Sequence, residues 1–246
     1  IFSNTVAAGA ICGALRIDVD VLLSDIKAKF LAKGEAIATG NAEAAQKGYA
    51  LGVELVNTGK LKAKELKSNP ALSKDMLLNG ADAIALGALA GGCDAVFAYP
   101  MTPGSSVFTA LAGYSKKFDI VVEQVEDEIG VLNMALGAWY AGARAVVTTS
   151  GGGFALMTEA VSLAGMIESP AVIHLAQRPG PATGLPTRTE QGDLNLALYA
   201  GHGYFPRIIL APGDIEEAFK LSALAFELAD KFQIPVFILS DQYFVD

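Results

Sequence analysis

Cysteine and histidine are scarce in this chain of 246 residues, and their scarcity excludes several kinds of site. Cys12 and Cys93 stand far apart without CxxC spacing, whereas an iron–sulfur cluster needs about four thiolates. His174 and His202 are separated by a predicted strand and a loop, which disfavours a histidine-rich metal site. Such cysteine usage is typical of a reducing compartment, and we expect a cytoplasmic protein.

Clustered positive charge and long uncharged apolar runs are also missing. There are 18 Lys and Arg against 26 Asp and Glu, a net charge of −8, which argues against a nucleic-acid surface. Asp94 and Glu159 interrupt the longest apolar segments, so no run reaches the roughly 20 residues that span a membrane. With 52% hydrophobic residues, we expect a large subunit interface instead. The first residue is Ile and no signal peptide is visible, so we expect the true start to be missing.

The composition divides the chain into three parts. Residues 1–57 predict a small helical appendage, with Ser3, Asp18 and Asn41 as the N-caps of its helices. Residues 58–79 are rich in lysine and predict a solvated linker, with a basic docking patch as the alternative. Residues 80–246 alternate helical and β-rich patterns, which predicts an α/β domain with a doubly wound, mostly parallel sheet. The predicted strands are 95–98, 120–123, 144–149, 171–177, 207–210 and 235–240, and the helices between them include 126–141 and 154–168.

The first predicted strand of this sheet is followed by an unusual loop, residues 99–106. It contains two prolines, a glycine and the three aliphatic hydroxyls of one threonine and two serines, in the order Tyr99-Pro100-Met101-Thr102-Pro103-Gly104-Ser105-Ser106. Ligands of open parallel sheets bind beyond the carboxyl ends of the strands, so this rigid loop is a candidate site. The alternative is an ordinary strand-to-helix turn in which Ser105 or Ser106 caps the next helix.

Two further loops are candidates for binding. The segment Ser150-Gly151-Gly152-Gly153 follows a strand and opens a helix, so its amides suit an anion, although close backbone packing is the alternative. It is neither a P-loop nor a hydrolase elbow, and Leu156 stands where a dinucleotide fingerprint needs a third glycine. Residues 178–193, with two arginines and three threonines, predict an ordered binding loop, with disorder as the alternative.

Three charged or titratable residues stand out at the predicted strands. Glu128 ends an acidic cluster that the helix dipole largely explains, but an apolar segment follows it, and a carboxyl held there could keep or share a proton near neutrality. Arg178 ends a core strand and places a planar cation where it suits a bidentate grip on a carboxylate. His174 lies mid-strand between apolar residues, so we expect it to be a hydrogen-bonded histidine of the core.

Taken together, these motifs resemble the alpha subunit of 2-oxoacid:ferredoxin oxidoreductases, most closely the 2-oxoglutarate type, in which a gamma domain is fused in front. The resemblance implies the pyrimidine-binding domain of a thiamine-diphosphate enzyme, and residues 1–57 resemble the tail of the gamma domain. The implied reaction is oxidative decarboxylation of a 2-oxoacid with coenzyme A to an acyl-coenzyme A, carbon dioxide and reduced ferredoxin. The motifs that carry the resemblance are residues 99–106, 126–128, 141–144, 149–154 and 177–193.

The resemblance also implies roles for individual residues. Glu128 matches the glutamate that hydrogen-bonds the aminopyrimidine ring of the cofactor, and Thr102 and Arg178 match residues that hold the keto-acid end of the substrate. Arg188, in a loop associated with substrate choice, is placed to pair with a second carboxylate. The implied site is therefore Glu128 as the catalytic residue, Tyr99, Pro100, Met101 and Glu128 for the cofactor, and Thr102, Arg178, Thr187 and Arg188 for the substrate.

The chain alone does not carry the whole reaction. It has no Gly-Asp-Gly…Asn pattern for a magnesium diphosphate, so the resemblance implies a beta subunit that supplies Mg²⁺ and an iron–sulfur cluster, in a dimer of heterodimers that passes electrons to ferredoxin. Family members usually carry Asn-Glu and Ile where this chain has Ala81-Asp82 and Met101, which leaves pyruvate and branched-chain oxoacids open as substrates. A catalytically silent scaffold of the same fold and a free-standing nucleotide-binding module are the other hypotheses. The missing gamma-domain opening predicts a fragment.

Overall fold

The computed structural model describes residues 2–246, which divide into a first unit that ends at Met76 and a second unit, Leu77–Asp246. The first unit contains helices α1 (Ser3–Ala14), α2 (Val19–Leu31) and α3 (Glu35–Asn57). Helices α1 and α3 pack with their backbones in contact: a Cβ on Gly9 would lie 2.1 Å from the carbonyl oxygen of Ala45. The small residues of this unit are therefore required by close helix packing.

Two of the three helix caps predicted for this unit are wrong. Ser3 lies in the first turn of α1, where Phe2 holds the cap position. Asn41 lies inside α3, where its buried amide accepts a hydrogen bond from Thr5 Oγ1 at 2.7 Å and donates to the helix backbone. Asp18 does cap α2, by accepting from the amide of Asp20. Asn is favoured at caps, but a long-range partner can hold it within a helix.

The second unit is a single sheet covered by helices. Its elements in chain order are α4 (Gly80–Ala90), β1 (Ala95–Ala98), α5 (Ser105–Phe118), β2 (Val121–Gln124), α6 (Glu128–Tyr140), β3 (Ala145–Thr149), α7 (Gly151–Leu156), α8 (Thr158–Met166), β4 (Ala171–Gln177), α9 (Leu194–Tyr199), β5 (Ile208–Leu210), α10 (Ile215–Phe232), β6 (Pro235–Asp241) and α11 (Gln242–Val245). Every strand pairing is parallel, and the strand order is β2-β1-β3-β4-β6-β5. The predicted α/β fold with a doubly wound parallel sheet is confirmed.

The strand order determines where a ligand crevice forms. The chain leaves β1 towards β2 at one edge and then returns to β3 on the other side, so the direction of winding reverses at β1. In open α/β sheets, ligands bind at the carboxyl ends of the strands beside such a reversal. Strands β1, β3, β4 and β6 are buried along their whole length, which explains why apolar residues dominate their sequences.

The element boundaries differ from the predicted ones mainly around the helices. The single helix predicted over 154–168 is two helices, α7 and α8, which meet at Met157. The short helices α9 and α11 were not predicted, because they are too short to show a helical period.

The helices and the two cysteines also bear on how the chain is used. Across residues 2–246, no helix combines the length and the apolarity that a bilayer crossing requires. Cys12 and Cys93 are both free thiols, and burial raises the pKa of the Cys93 thiol to about 12.

Candidate functional site

The 99–106 loop crosses the carboxyl edge of the sheet between β1 and α5. Gly104 holds the N-cap position of α5, and a Cβ there would lie 2.7 Å from the carbonyl oxygen of Thr149. The loop thus touches the end of β3 backbone to backbone. Ser105 and Ser106 lie in the first turn of α5, and within the described chain neither side chain caps the helix.

Side chains from β3 and the end of β4 hold two carbonyl groups of this loop. The guanidinium of Arg178 donates from Nη1 to the Thr102 carbonyl at 2.6 Å, and the hydroxyl of Thr148 donates to the Gly104 carbonyl at 2.7 Å. The structure therefore brings Thr102 and Arg178 together, as two of the predicted site residues.

Glu128 is buried at the start of α6. Asp127 caps this helix by accepting from the Gly130 amide at 2.7 Å, which places Glu128 in the first turn with only 4% of its surface exposed. Its Oε1 is buried and has no hydrogen-bond partner within residues 2–246. Leaving a buried polar atom unpaired costs about 1–3 kcal/mol, so this oxygen is suited to a donor on a bound group.

The three glycines of α7 leave space for three other parts of the site. A Cβ on Gly153 would lie 2.9 Å from Glu128 Oε1, and one on Gly151 would lie 2.4 Å from Asp193 Oδ2. A Cβ on Gly152 would lie 3.2 Å from the Ala182 carbonyl oxygen. Close packing therefore accounts for this glycine run.

Arg178 and Asp193 form a second charged part of the site. Arg178 is 7% exposed, and its Nε is buried without a partner among the described residues. Burial lowers the pKa of the guanidinium, and the nearby Asp193 carboxylate opposes that shift. Burial raises the pKa of Asp193, Glu190 raises it further, and Arg178 acts against both. Sequence reasoning missed Asp193, because its nearness to Arg178 depends on the path of the long loop between them, which no local pattern sets.

The loop of residues 178–193 is tied down at its far end. The amide of Asp193 donates to Gln177 Oε1 at 2.9 Å, and Gln191 Nε2 donates to Asp241 Oδ2 at 2.7 Å. Thr187 and Arg188 are exposed on this loop, and the Arg188 guanidinium donates a long bond of 3.4 Å to the Thr187 carbonyl. In the part of the chain described, no hydrogen bond joins these two side chains to Glu128, Thr102 or Arg178.

The remaining predicted residues lie at the end of β1. Tyr99 is 38% exposed, Pro100 is exposed, and Met101 is half-buried, with its sulfur 3.9 Å from the position of a Cβ on Gly152. The described residues contain no cluster of His, Cys, Asp and Glu able to hold a metal ion. Besides Glu128 Oε1 and Arg178 Nε, Asp193 Oδ2 and Ser150 Oγ at this edge are buried without a hydrogen-bond partner among the described residues. Buried acceptors, a buried guanidinium donor and a rigid loop suit an organic ligand that carries a ring donor and a carboxylate.

The fold and this edge of the sheet define a class: a parallel α/β domain whose candidate ligand site lies at the carboxyl ends of its strands. The family described as "Pyruvate flavodoxin/ferredoxin oxidoreductase, thiamine diP-bdg" matches residues 86–246, and the chain belongs to this family. The resemblance read from the sequence is therefore confirmed.

The similar proteins are much longer than this chain. The 2-oxoacid:ferredoxin oxidoreductase subunit alpha of Saccharolobus solfataricus is 41% identical over 251 residues, which covers 97% of this chain and 38% of that protein. The 2-oxoglutarate synthase subunit KorA of Archaeoglobus fulgidus is 42% identical over 166 residues, covering 68% and 48%. A solved structure, 2-oxoglutarate:ferredoxin oxidoreductase from Magnetococcus marinus with 2-oxoglutarate, coenzyme A and succinyl-CoA bound, has a TM-score of 0.84 and 39% identity, covering 98% and 42%. The chain spans less than half the length of these relatives.

Proposed function

We propose that this chain is the pyrimidine-binding part of a thiamine-diphosphate-dependent 2-oxoacid:ferredoxin oxidoreductase, which converts a 2-oxoacid and coenzyme A to an acyl-coenzyme A, carbon dioxide and reduced ferredoxin. The observation that carries the proposal is the unpaired, buried Oε1 of Glu128 beside the glycines of α7. The names of the relatives support the reaction. The ligands in the Magnetococcus marinus structure favour 2-oxoglutarate as the substrate.

The residues at this edge fit the cofactor. When bound, thiamine diphosphate supplies a nucleophilic thiazolium carbon and an electron sink. Glu128 would accept a hydrogen bond from the aminopyrimidine ring and so hold a proton there, because a carboxylate is an acceptor and Oε1 has no other donor in residues 2–246. Tyr99, Pro100 and Met101 would line the same edge.

The substrate would be held through its carboxylate. Arg178 uses Nη1 on the Thr102 carbonyl, so the side edge formed by Nε–H and Nη2–H is the one available for a bidentate pair. Thr102 is fixed beside it by the same bond. On the exposed loop, Thr187 and Arg188 would contact the distal end of the substrate, and Arg188 would pair with the second carboxylate of 2-oxoglutarate.

The proposal includes a partner and a domain arrangement. A beta subunit would supply Mg²⁺ and the iron–sulfur cluster, because this sequence has two cysteines and lacks the diphosphate motif. Residues 1–57 would be the tail of a gamma-like domain, 58–79 a linker and 80–246 the pyrimidine-binding domain; the alignment with the Saccharolobus solfataricus subunit, over 97% of this chain, supports this. We propose a dimer of heterodimers in the cytoplasm, with ferredoxin as the electron acceptor.

Replacing Glu128 with Gln in the assembled enzyme tests the mechanism. E128Q removes the charge that holds the proton, so we expect acyl-coenzyme A formation to fall by about 10²–10⁴-fold. The matched control is E126Q, which removes the same charge from an exposed neighbour and should leave turnover near that of the wild type. Normal turnover by E128Q would remove the mechanism, and no turnover by the wild-type complex would favour the silent scaffold.

Substrate choice is tested separately in the wild-type complex. Because Arg188 is an exposed cation on the loop, we expect 2-oxoglutarate to give a higher kcat/KM than pyruvate or a branched-chain oxoacid. The measurement is coenzyme-A-dependent acyl-coenzyme A formation from each of the three acids at equal enzyme concentration. A preference for pyruvate would overturn the assignment of the substrate and leave the mechanism intact.

A further inference from the structure

A line of buried polar side chains crosses the centre of the sheet and ends on the 99–106 loop. His174 in β4 is fully buried, with Nδ1 2.8 Å from Thr148 Oγ1 on β3 and Nε2 2.8 Å from Ser240 Oγ on β6. Thr148 Oγ1 in turn lies 2.7 Å from the carbonyl oxygen of Gly104. Four segments that are distant in the sequence are therefore joined by three hydrogen bonds.

The chemistry of the groups fixes the direction of these bonds. A carbonyl oxygen only accepts, so the proton of the Thr148 hydroxyl lies on the Gly104 side. Thr148 Oγ1 must then accept from the imidazole, so Nδ1 of His174 carries the proton. Nε2 is left as an acceptor, and the Ser240 hydroxyl donates to it. Burial lowers the pKa of His174 to about 3, so the imidazole stays neutral and keeps a single proton.

We call the chain of hydrogen bonds Ser240–His174–Thr148–Gly104 the relay. It ends at a carbonyl group that has few other hydrogen bonds to hold it. The Gly104 carbonyl is the first of α5, and the amide of Phe108 reaches it only at 3.4 Å, so the Thr148 hydroxyl at 2.7 Å is its shorter bond. Gly104 is also pressed against the backbone of Thr149. Two residues earlier, the Thr102 carbonyl is held by Arg178, which directly follows β4. Both anchors of the loop therefore depend on β4.

We propose that His174 is a positioning residue for the site: in its Nδ1–H tautomer it orients the Thr148 hydroxyl, which holds the Gly104 carbonyl and with it the 99–106 loop. This inference rests on the proposed function, because the loop matters to turnover only if Thr102 holds the substrate. A misplacement of about 1 Å in such a loop is enough to cost on the order of 10²-fold in rate.

The first test compares T148V with T148S in the complete enzyme, assembled with its partner and cofactor. Valine keeps the shape of threonine without the hydroxyl, so we expect kcat/KM for the oxoacid to fall by about 10–100-fold, through a higher KM. Serine keeps the hydroxyl and should restore kcat/KM. A purely structural role would lower the melting temperature of T148V and leave KM unchanged, which would overturn the proposal.

The second test observes the tautomer directly and does not depend on turnover. The subunit is labelled with ¹⁵N-histidine and assembled with an unlabelled partner, and H202Q removes the signal of the other histidine of this chain. We expect the one-bond ¹⁵N–¹H coupling at Nδ1 of His174. A proton on Nε2 would overturn the relay even if T148V failed to fold. A wild-type complex without turnover would refute the proposed function. The coupling measurement would still show which nitrogen of His174 carries the proton.

Discussion

At the scale of single residues, Glu128 and Arg178 share one property. Each is buried at the carboxyl edge of the sheet, and each keeps one polar atom, Oε1 and Nε respectively, without a partner among residues 2–246. Protein interiors pair almost all their buried polar atoms. An unpaired acceptor and an unpaired donor at the same edge are therefore suited to hydrogen bonds with a ligand.

A methyl group on Gly153 would disturb the first of these residues. In G153A the new Cβ would lie 2.3 Å from Thr149 Oγ1 and 2.9 Å from Glu128 Oε1, so the Glu128 carboxyl must move. We expect acyl-coenzyme A formation to fall by about 10–100-fold. The matched control is G137A in α6, which has open space around it and should add about 0.4–1 kcal/mol of stability without loss of turnover. Wild-type activity in G153A would contradict this account of Glu128.

The buried imidazole of His174 predicts a loss of stability in acid. Burial lowers its pKa from 6.5 to about 3, so as the pH falls below 6.5 the unfolded chain binds a proton that the folded chain refuses. Stability present above pH 6.5 is then lost, approaching about 1.4 kcal/mol per pH unit. Denaturant unfolding at pH 7, 6 and 5 measures this slope. H174Q should flatten it, and H202Q, at an exposed position, should not.

At the scale of secondary-structure elements, the sequence predicts the sheet better than the contacts across it. Apolar residues predict Ala95–Ala98 and Ala171–Gln177 with the observed bounds, although His174 interrupts the second run, because both faces of these strands are covered. The break between α7 and α8 at Met157 has no glycine or proline to mark it.

The same contrast holds within the site. Glu128 was predicted from the apolar segment that follows it and Arg178 from its place at the end of a core strand, and their roles came from the family resemblance. The relay through His174 was not predicted, although His174 itself was predicted to be hydrogen-bonded. Its contact with Thr148 depends on the register of two strands that lie far apart in the sequence, and apolar periodicity does not set that register.

The cap of α6 controls how Glu128 enters the site. Asp127 accepts from the Gly130 amide at 2.7 Å, so D127A leaves the first turn of the helix without this bond. We expect a loss of about 1 kcal/mol in the free energy of unfolding, measured by chemical denaturation, together with reduced turnover. D127N keeps an acceptor oxygen and should retain most of the stability. If D127A were as stable as the wild type, the cap would not be what orders this turn.

At the scale of the whole molecule, the carboxyl ends and the amino ends of the strands differ in function. The carboxyl edge carries the site. At the amino edge, Arg144 pairs with Asp230 at 2.6 Å, donates to the Gly91 carbonyl at 2.8 Å, and its amide donates to Asp94 Oδ2 at 2.8 Å. Arg144, which directly precedes β3, thus contacts the end of α4, the residue before β1 and the last turn of α10.

Removing that junction should affect stability and spare catalysis. In R144M the Asp230 carboxylate and the Gly91 carbonyl lose their donor, and since the ion pair is half-exposed we expect a loss of about 1–2 kcal/mol, chiefly from the carbonyl bond. Thermal unfolding measures the loss, and kcat/KM should stay unchanged. R144K keeps the charge and serves as the control for the loss of the planar guanidinium group. A changed kcat/KM would show that the two edges are coupled.

The buried thiol described with the fold also makes the chain convenient to tag. Cys93 is enclosed by the sheet, and at neutral pH almost none of it is the reactive thiolate. Cys12, on the first helix of the N-terminal unit, is partly open to solvent. Of these two thiols, a maleimide dye added to the folded protein should therefore attach at Cys12 and spare Cys93, which places a fluorescent marker on the helical unit.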